Sequence, residues 1–549
     1  MKNYIWKRIC SLTLSGIMVM GCLTGCGKGE EGTSSGASQT SSAAVSSAAG
    51  TDAAVQTDTS DGRGGETVSF TYLRPVWGPA TFTPGGEYEK ALFEYANIDV
   101  EVQIIPVIEY DAKVKTIVAG GSLPDVMWAA GPGDNFWREL EDQGAFRSID
   151  ELLETHPAVK ANVDSTVMEQ MRNPADGKLY FLPRTIAADV PFFLYYRKDW
   201  FDAQNIAEPT TIDELNEALD TIKNAYPEVS PITVGMGGFS WMYKDLATSF
   251  GCTIGGWVAS EEDPDRIVPS HITKEQEDFY FWLQDLRKNG WLDPEVGINP
   301  DANHGKQKFM AGKAAAYPGG YPDFIEISAA LKKSAPDAVV GIMQPLTGPG
   351  GIEGGTRTSY PMDRGMYFSN DFDDMEGFFD FLEWWLTDGT TFRRYGVEGE
   401  MYNMEDGKIV PIPEDQRKED YKATQTEPLT FFNLKEEELD FENTWKPSFV
   451  SNGIEDTYDY WYDSFMAYCK NRFPDYLSPT VVSPTSVEIG AQIFESTIST
   501  AEGSILLDTK GTREDWEKQV QAWLDQGGNK IIEEINAGQT DKSKPSYGE

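Results

Sequence analysis

From residue 67 onward, short β-branched runs alternate with helical periods, and that alternation restricts the chain more than any other feature. Residues 67–73 (TVSFTYL) alternate apolar and polar positions, and residues 99–108 (DVEVQIIPVI) repeat that character after a helical interval. Residues 123–129 (LPDVMWA) are a third strand candidate. Between the last two, residues 110–121 predict a helix with Val114, Ile117 and Val118 on one side, stopped by Gly120 and Gly121. Strand candidates recur at 192–196, 232–236, 314–317, 339–343 and 366–369. Strands separated by amphipathic helices predict an α/β chain whose mostly parallel sheet is covered by helices on both faces.

Helix starts are marked by side chains able to accept the free first-turn N–H groups. Thr211 with Glu214, Thr273 with Gln276 and Thr485 with Glu488 match the capping-box spacing, each ahead of a helix-periodic stretch. Another helical period carries Trp516, Val520, Trp523 and Leu524 near the C-terminus. Trp282, Trp384, Trp385, Trp516 and Trp523 lie within helical patterns and are expected to pack rather than bind. There is no internal repeat.

The 549 residues allow two large lobes or three domains, and 40% hydrophobic with 12% aromatic residues can fill sizeable cores. Lys plus Arg is 46 against 88 Asp plus Glu, a formal charge of -42 that repels phosphate backbones and argues against a nucleic-acid partner. Three of the five cysteines fall within the first 26 residues, and no zinc cluster or CxxC can be read. Cys252 and Cys469 are expected to be isolated thiols, with pairing in an oxidising compartment as the alternative.

Lys2, Lys7 and Arg8 precede a 15-residue, predominantly apolar run at 9–23, a signal-peptide layout too short to span a bilayer comfortably. Leu23-Thr24-Gly25-Cys26 follows directly and resembles the bacterial lipobox, which implies removal of residues 1–25 and lipidation of Cys26. Of the 39 residues at 27–65, 28 are Gly, Ser, Thr or Ala and none is aromatic. Residues 26–65 therefore read as a lipidated cysteine and flexible tether with a reach of roughly 35 Å. The expected address is the extracellular face of the cell membrane.

Beyond the lipobox, six further motifs occur in order: 117–125 (IVAGGSLPD), 176–183 (DGKLYFLP), 194–200 (LYYRKDW), 209–215 (PTTIDEL), 309–314 (FMAGKA) and 395–400 (YGVEGE). Together they resemble the extracellular sugar-binding lipoproteins of carbohydrate ABC importers, in particular the long Gram-positive and alginate-binding-like subgroup. The resemblance covers residue 1 to about 540. It implies a two-lobed periplasmic-binding-protein-like fold with an interlobe hinge and ligand cleft, and ABC permease membrane subunits as partners. Lobe one is expected at 66–182 and 365–399, and lobe two at 183–364 and 400–549. Relatives often carry an acidic calcium loop after the helix at 212–225. Here residues 226–233 (YPEVSPIT) hold two prolines and one glutamate, so neither metal nor cofactor is expected.

A sugar cleft needs aromatic faces for stacking and polar groups for hydroxyls. Trp77, Trp128, Trp241 and Trp257 lie in loops or at strand ends and are candidate stacking platforms. Tyr317 and Tyr321 bracket Pro318-Gly319-Gly320 and are candidates with Tyr367 and Trp461. Asp125 either accepts from hydroxyls or caps the following turn. Arg184 either holds a hydroxyl or carboxylate or forms an interlobe salt bridge. His156, His271 and His304 are the only histidines, and no GxSxG, HExxH, Walker A or GxGxxG pattern occurs. The chain is therefore expected to be a monomeric, non-catalytic receptor, with a surface glycan-binding adhesin or scaffold, or a polysaccharide-degrading lipoprotein enzyme, as alternatives. A neutral oligosaccharide is the expected ligand because the negative chain disfavours polyuronates, although a local cluster of Arg74, Arg184, Arg357 and Arg364 could overcome that field.

Overall fold

The computed structural model describes residues 62–538 apart from 77–80, 133–134, 188–189, 236–240, 299–301, 359, 406, 438 and 478–480. Cys26 and most of the expected tether lie outside the described residues. Arg63 lies within them and pins the chain earlier than the composition suggested: its amide N–H reaches the Tyr95 carbonyl at 2.7 Å and its Nε the Ala96 carbonyl at 2.8 Å. The ordered body thus begins before residue 66.

In chain order the strands are β1 (Val68–Val76), β2 (Ile98–Pro106), β3 (Val126–Ala129), β4 (Phe181–Thr185), β5 (Phe192–Arg197) and β6 (Ser230–Ile232). There follow β7 (Trp257–Ala259), β8 (Ile267–Pro269), β9 (Ala314–Gly320), β10 (Val340–Ile342), β11 (Thr356–Thr358) and β12 (Met362–Phe368). The last are β13 (Tyr402–Glu405), β14 (Lys408–Pro411) and β15 (Arg472–Pro474). One five-stranded sheet has the order β2-β1-β3-β12-β4 and one four-stranded sheet the order β10-β5-β9-β6. β1 is parallel to β2 and β3, but β12 runs antiparallel to β3 and β4; β5 is antiparallel to β9 and β10. The sheets are therefore mixed rather than mostly parallel. The reason is topological: β4 leaves for the second lobe and β12 returns from it, so the two must point in opposite directions.

Each sheet has its own apolar core. Phe70, Tyr72, Trp128, Phe181, Tyr367, Phe378 and Trp385 belong to the first; Phe193, Tyr195, Phe279, Tyr317, Phe449, Trp461 and Trp516 belong to the second. The first core also takes Met401, Tyr421, Leu429, Phe431 and Phe432, which the sequence reading placed in lobe two. Phe431 stacks on Tyr72 at 5.2 Å, and the Trp385 indole N–H donates to the Phe432 carbonyl at 2.9 Å. Their aromatic surface is buried only if the chain stays with the first sheet through residue 432, which overrides a boundary drawn at 400. The helix-borne Trp282, Trp385, Trp516 and Trp523 are all buried, as their spacing predicted.

Two of the three expected N-caps form: the Thr211 hydroxyl accepts from the Glu214 amide at 3.1 Å and that of Thr273 from the Gln276 amide at 3.3 Å. Thr485 does not cap. It is already helical (φ -67, ψ -40), and its hydroxyl donates to Glu534 at 2.9 Å. A reciprocal box that the sequence reading passed over joins Thr512 and Asp515. In the acidic run 371–376, Asp374 accepts from the Gly377 amide at 3.2 Å, a helix-cap role. Neither Cys252 nor Cys469 takes part in a disulfide, and burial pushes the Cys252 thiol up to about 12.

Two chain passages between the lobes converge on Asp245, which is 1% exposed. Its carboxylate accepts the Phe192 amide at 2.6 Å, the Arg357 amide at 2.8 Å and the Thr356 hydroxyl at 3.3 Å, with Lys244 Nζ at 3.5 Å. Lys244 also donates to the Val190 carbonyl at 3.0 Å. The passages touch directly where the Ile186 amide donates to the Pro361 carbonyl at 3.1 Å.

His271 links the second core to the C-terminal helices. Its ring meets Trp523 edge-on at 4.6 Å and Phe494 at 5.2 Å, and its buried Nε2 has no partner among the described residues. Burial lowers its pKa from 6.5 to about 4, because a protonated ring would place an N–H where nothing accepts it. The unfolded chain takes up this proton first, so the contribution to stability is full above about pH 6.5 and is lost as the pH falls towards 4. Urea unfolding across that window is expected to lose on the order of 3 kcal/mol through this group. His271→Phe should flatten that part of the profile; an unchanged profile would contradict the assignment.

Candidate ligand-binding site

Because β1 and β3 are parallel neighbours, their C-terminal ends reach the same edge of the first sheet. That edge carries Arg74 and Trp128. The Trp128 indole N–H donates to the Tyr72 hydroxyl, which donates to the Thr430 carbonyl at 3.1 Å. Tyr110 donates to the Trp128 carbonyl at 2.6 Å. Arg74, 5% exposed, spends Nη1 on the carbonyls of Glu427 (2.7 Å) and Thr430 (2.6 Å).

Two guanidinium groups approach the Trp128 ring, Arg74 and Arg184, each 5.7 Å from its centroid and within cation–π range. Burial raises the pKa of the Tyr72 hydroxyl, and the charges of Arg74 and Arg184 oppose that rise. Arg364 adds a third positive charge: burial pushes Tyr110 upward and both Arg74 and Arg364 act against it. Arg364 itself sits at φ 58, in the left-handed region, where β12 slips register between Met362 and Gly365. A long side chain held in that region costs about 1 kcal/mol or more. Three of the four arginines singled out in the sequence thus gather around one aromatic edge.

The fourth does not join them. Arg357 lies on β11 in the second lobe, where Nη2 meets Asp475 at 3.3 Å. Asp475 also accepts the amides of Trp257 (3.0 Å) and Leu477 (3.1 Å), and so ties β7 to the segment after β15. A Cβ at Gly256 would stand 3.0 Å from the Asp475 carboxylate, so a larger residue there would press on this contact. The sequence reading missed Asp475; its only local signal is a lone acid after Phe473-Pro474.

The remaining candidates divide clearly. Trp77 lies outside the described residues, as does the side chain of Trp241, whose backbone opens a short 3-10 turn at Trp241–Tyr243. Asp125 takes its structural alternative: it accepts the Thr71 amide and hydroxyl, both at 2.8 Å, and so joins β1 to the start of β3. Tyr367 is fully buried, stacked on Phe146 at 4.3 Å, with its hydroxyl on Glu141 at 2.7 Å. Tyr317 stacks on Tyr195 at 6.4 Å, and Trp461 sends its indole N–H to the Tyr321 carbonyl at 2.9 Å while Tyr321 packs on Trp445 and Phe465. All four, expected as ligand contacts, have their faces filled by neighbouring rings. Trp128 is 2% exposed and supports the edge rather than offering an open face. Arg184 and Trp257 stay half-buried, at the junction side of their lobes.

Two sheet-centred lobes, joined by short passages and carrying polar and aromatic groups next to those passages, define a solute-binding architecture. Residues 79–391 match the bacterial extracellular solute-binding protein family, and the chain belongs to it. It is 22% identical over 459 residues to the polygalacturonan/rhamnogalacturonan-binding protein YtcQ of Bacillus subtilis (strain 168), covering 81% of this chain and 86% of that one. The fold is shared with the alginate-binding protein AlgQ2, at a TM-score of 0.67 and 15% identity over 87% of this chain and 99% of that one. It is also shared with the FusA substrate-binding protein of S. pneumoniae in complex with kestose, at a TM-score of 0.64 and 14% identity over 86% and 98% of the two chains.

Residues that hold ligand and residues that hold the core respond differently to truncation. Arg184→Ala and Trp257→Ala are each expected to weaken oligosaccharide binding at least tenfold in calorimetry, about 1.4 kcal/mol, with unfolding midpoints nearly unchanged. Trp461→Ala should instead cost roughly 3–5 kcal/mol of stability. Loss of affinity in Trp461→Ala without loss of stability would restore it to the ligand site.

Proposed function

We propose that this chain is an extracellular receptor that captures an oligosaccharide between its lobes and passes it to the membrane subunits of an ABC permease. The observation that carries the reading is the placing of Arg74 and Arg184 over the Trp128 ring at the edge of the first sheet, with the charge of Arg364 acting on the neighbouring Tyr110. The lobes, one built on β1 to β4 with β12 and the other on β5, β6, β9 and β10, close by rotation about the two chain passages that join them. The receptor acts as a monomer, is anchored through Cys26 and releases its sugar unchanged.

On the sugar itself the reading departs from the sequence expectation of a neutral ligand. Four of the aromatic rings meant to stack on neutral pyranoses are occupied by core packing, whereas two guanidinium groups, those of Arg74 and Arg184, stand over the Trp128 ring. A uronate-containing oligosaccharide fits that edge better, since a guanidinium matches a carboxylate with two parallel hydrogen bonds. The similarity to a polygalacturonan/rhamnogalacturonan-binding protein supports the same choice. A neutral oligosaccharide of two or more residues is the second reading, supported by the half-buried Trp257.

Calorimetry against oligogalacturonides and neutral oligosaccharides separates the two readings, and X-ray scattering of the same samples is expected to show compaction on binding. Turnover of the sugar, or no binding across both panels, would overturn the receptor reading. Mass spectrometry of protein from its own host should find a lipidated Cys26 as the first residue, and an intact N-terminus would remove the anchor.

A further inference from the structure

We infer that the first lobe holds a second ligand site, distinct from the edge that carries Trp128: a small cavity that takes one carboxylate group. It lies between the helix Thr390–Tyr395, the β13–β14 hairpin and the stretch 426–433. Its volume is about 20 Å³, room for one or two water-sized groups. Three arginines and no aspartate or glutamate line it, in a chain where acids outnumber bases 88 to 46.

Two of the three share one acid. Arg393 and Arg394 share the Glu437 carboxylate, and the Arg393 Nε also donates to the Trp385 carbonyl at 3.0 Å. Arg417 is different. Its Nε donates to the Ile412 carbonyl at 2.8 Å, but neither Nη has an acceptor among the described residues, and Glu414 acts on it only through its field. Arg417 is half-buried, and burial pushes its pKa down, with the charges of Glu414 and Tyr88 opposing. Tyr88 lines the same cavity, is 7% exposed, and its hydroxyl has no partner among the described residues. Burial raises the pKa of that hydroxyl, so it remains an O–H donor.

Two Nη groups and a phenol form an array of donors around a surplus positive charge. Water satisfies the donors but leaves the charge uncompensated. A planar carboxylate does both, with two oxygens for the guanidinium fork and a lone pair for the phenol. Thr430 forms part of the cavity wall and also accepts from Arg74, so one stretch of chain separates the two sites while no arginine is shared.

Melting of the purified protein in sodium acetate, against sodium chloride at equal ionic strength, tests the inference. A saturable rise specific to acetate is expected. Arg417→Gln should weaken it at least tenfold, Tyr88→Phe several-fold, and Arg184→Ala should leave it intact; Arg417→Gln should also leave oligosaccharide binding intact. Equal responses to the two salts, an unchanged response in Arg417→Gln, or its loss in Arg184→Ala would each overturn the site. Tyr88→Phe keeps the ring packing, and so decides the matter if Arg417→Gln does not fold. Galacturonate added to the acetate-loaded protein identifies the carboxylate's source: displacement assigns it to a sugar acid, and no displacement to a free short-chain acid.

Discussion

A carboxylate sealed from water is stable only when its oxygens are filled, and Asp245 fills them with groups from both chain passages. The Phe192 amide belongs to the start of β5, just after the chain has left the first lobe; Thr356 and Arg357 belong to β11, just before it returns. Burial raises the pKa of Asp245, while the Lys244 charge and the two amides favour its ionised form. The second lobe therefore holds the roots of both passages in one place. Only a few residues of each passage lie between those roots and the strands of the first sheet. Lys244 is bound into the same arrangement through the Val190 carbonyl, so removing either charge would leave the other buried and uncompensated.

Charge and aromatic surface are distributed according to the same economy. Arg74 and Arg184 both stand over the Trp128 ring at the edge of the first sheet, and Arg74 is tied there to Glu427 and to the carbonyls of Glu427 and Thr430. The rings that might have stacked on sugar mostly close the two cores instead. Tyr367, Tyr317 and Trp461 are buried against neighbouring rings, and each polar tip is satisfied inside the protein.

Much of the fold was legible because it is written in local periods. The strands at 68–76, 98–106 and 192–197 and the helix-borne tryptophans follow from alternation and helical spacing, and the caps at Thr211 and Thr273 from side-chain chemistry within four residues. Thr485 shows the limit. It has the same local pattern, but Glu534, some fifty positions away, claims its hydroxyl. The site was legible only in part. Arg184 and Trp257 were singled out because they stand beside turns and chain passages, whereas Asp475 has no periodic or motif context, and its role exists only once β7 and β15 are side by side.

The sequence by itself determined the α/β elements, the acidic surface, the membership suggested by six ordered motifs, and which tryptophans belong to helices, because each depends on residues near one another in the chain. Only the tertiary structure decided that the sheets are mixed, that residues 401–432 serve the first core, that Arg74 and Arg184 meet over Trp128 while Arg357 does not, and that Arg417 is left with two unfilled donors. Each of those outcomes depends on the chain passing twice between two cores. The direction of a returning strand and the partner of a buried charge follow from that path, and no local pattern encodes it.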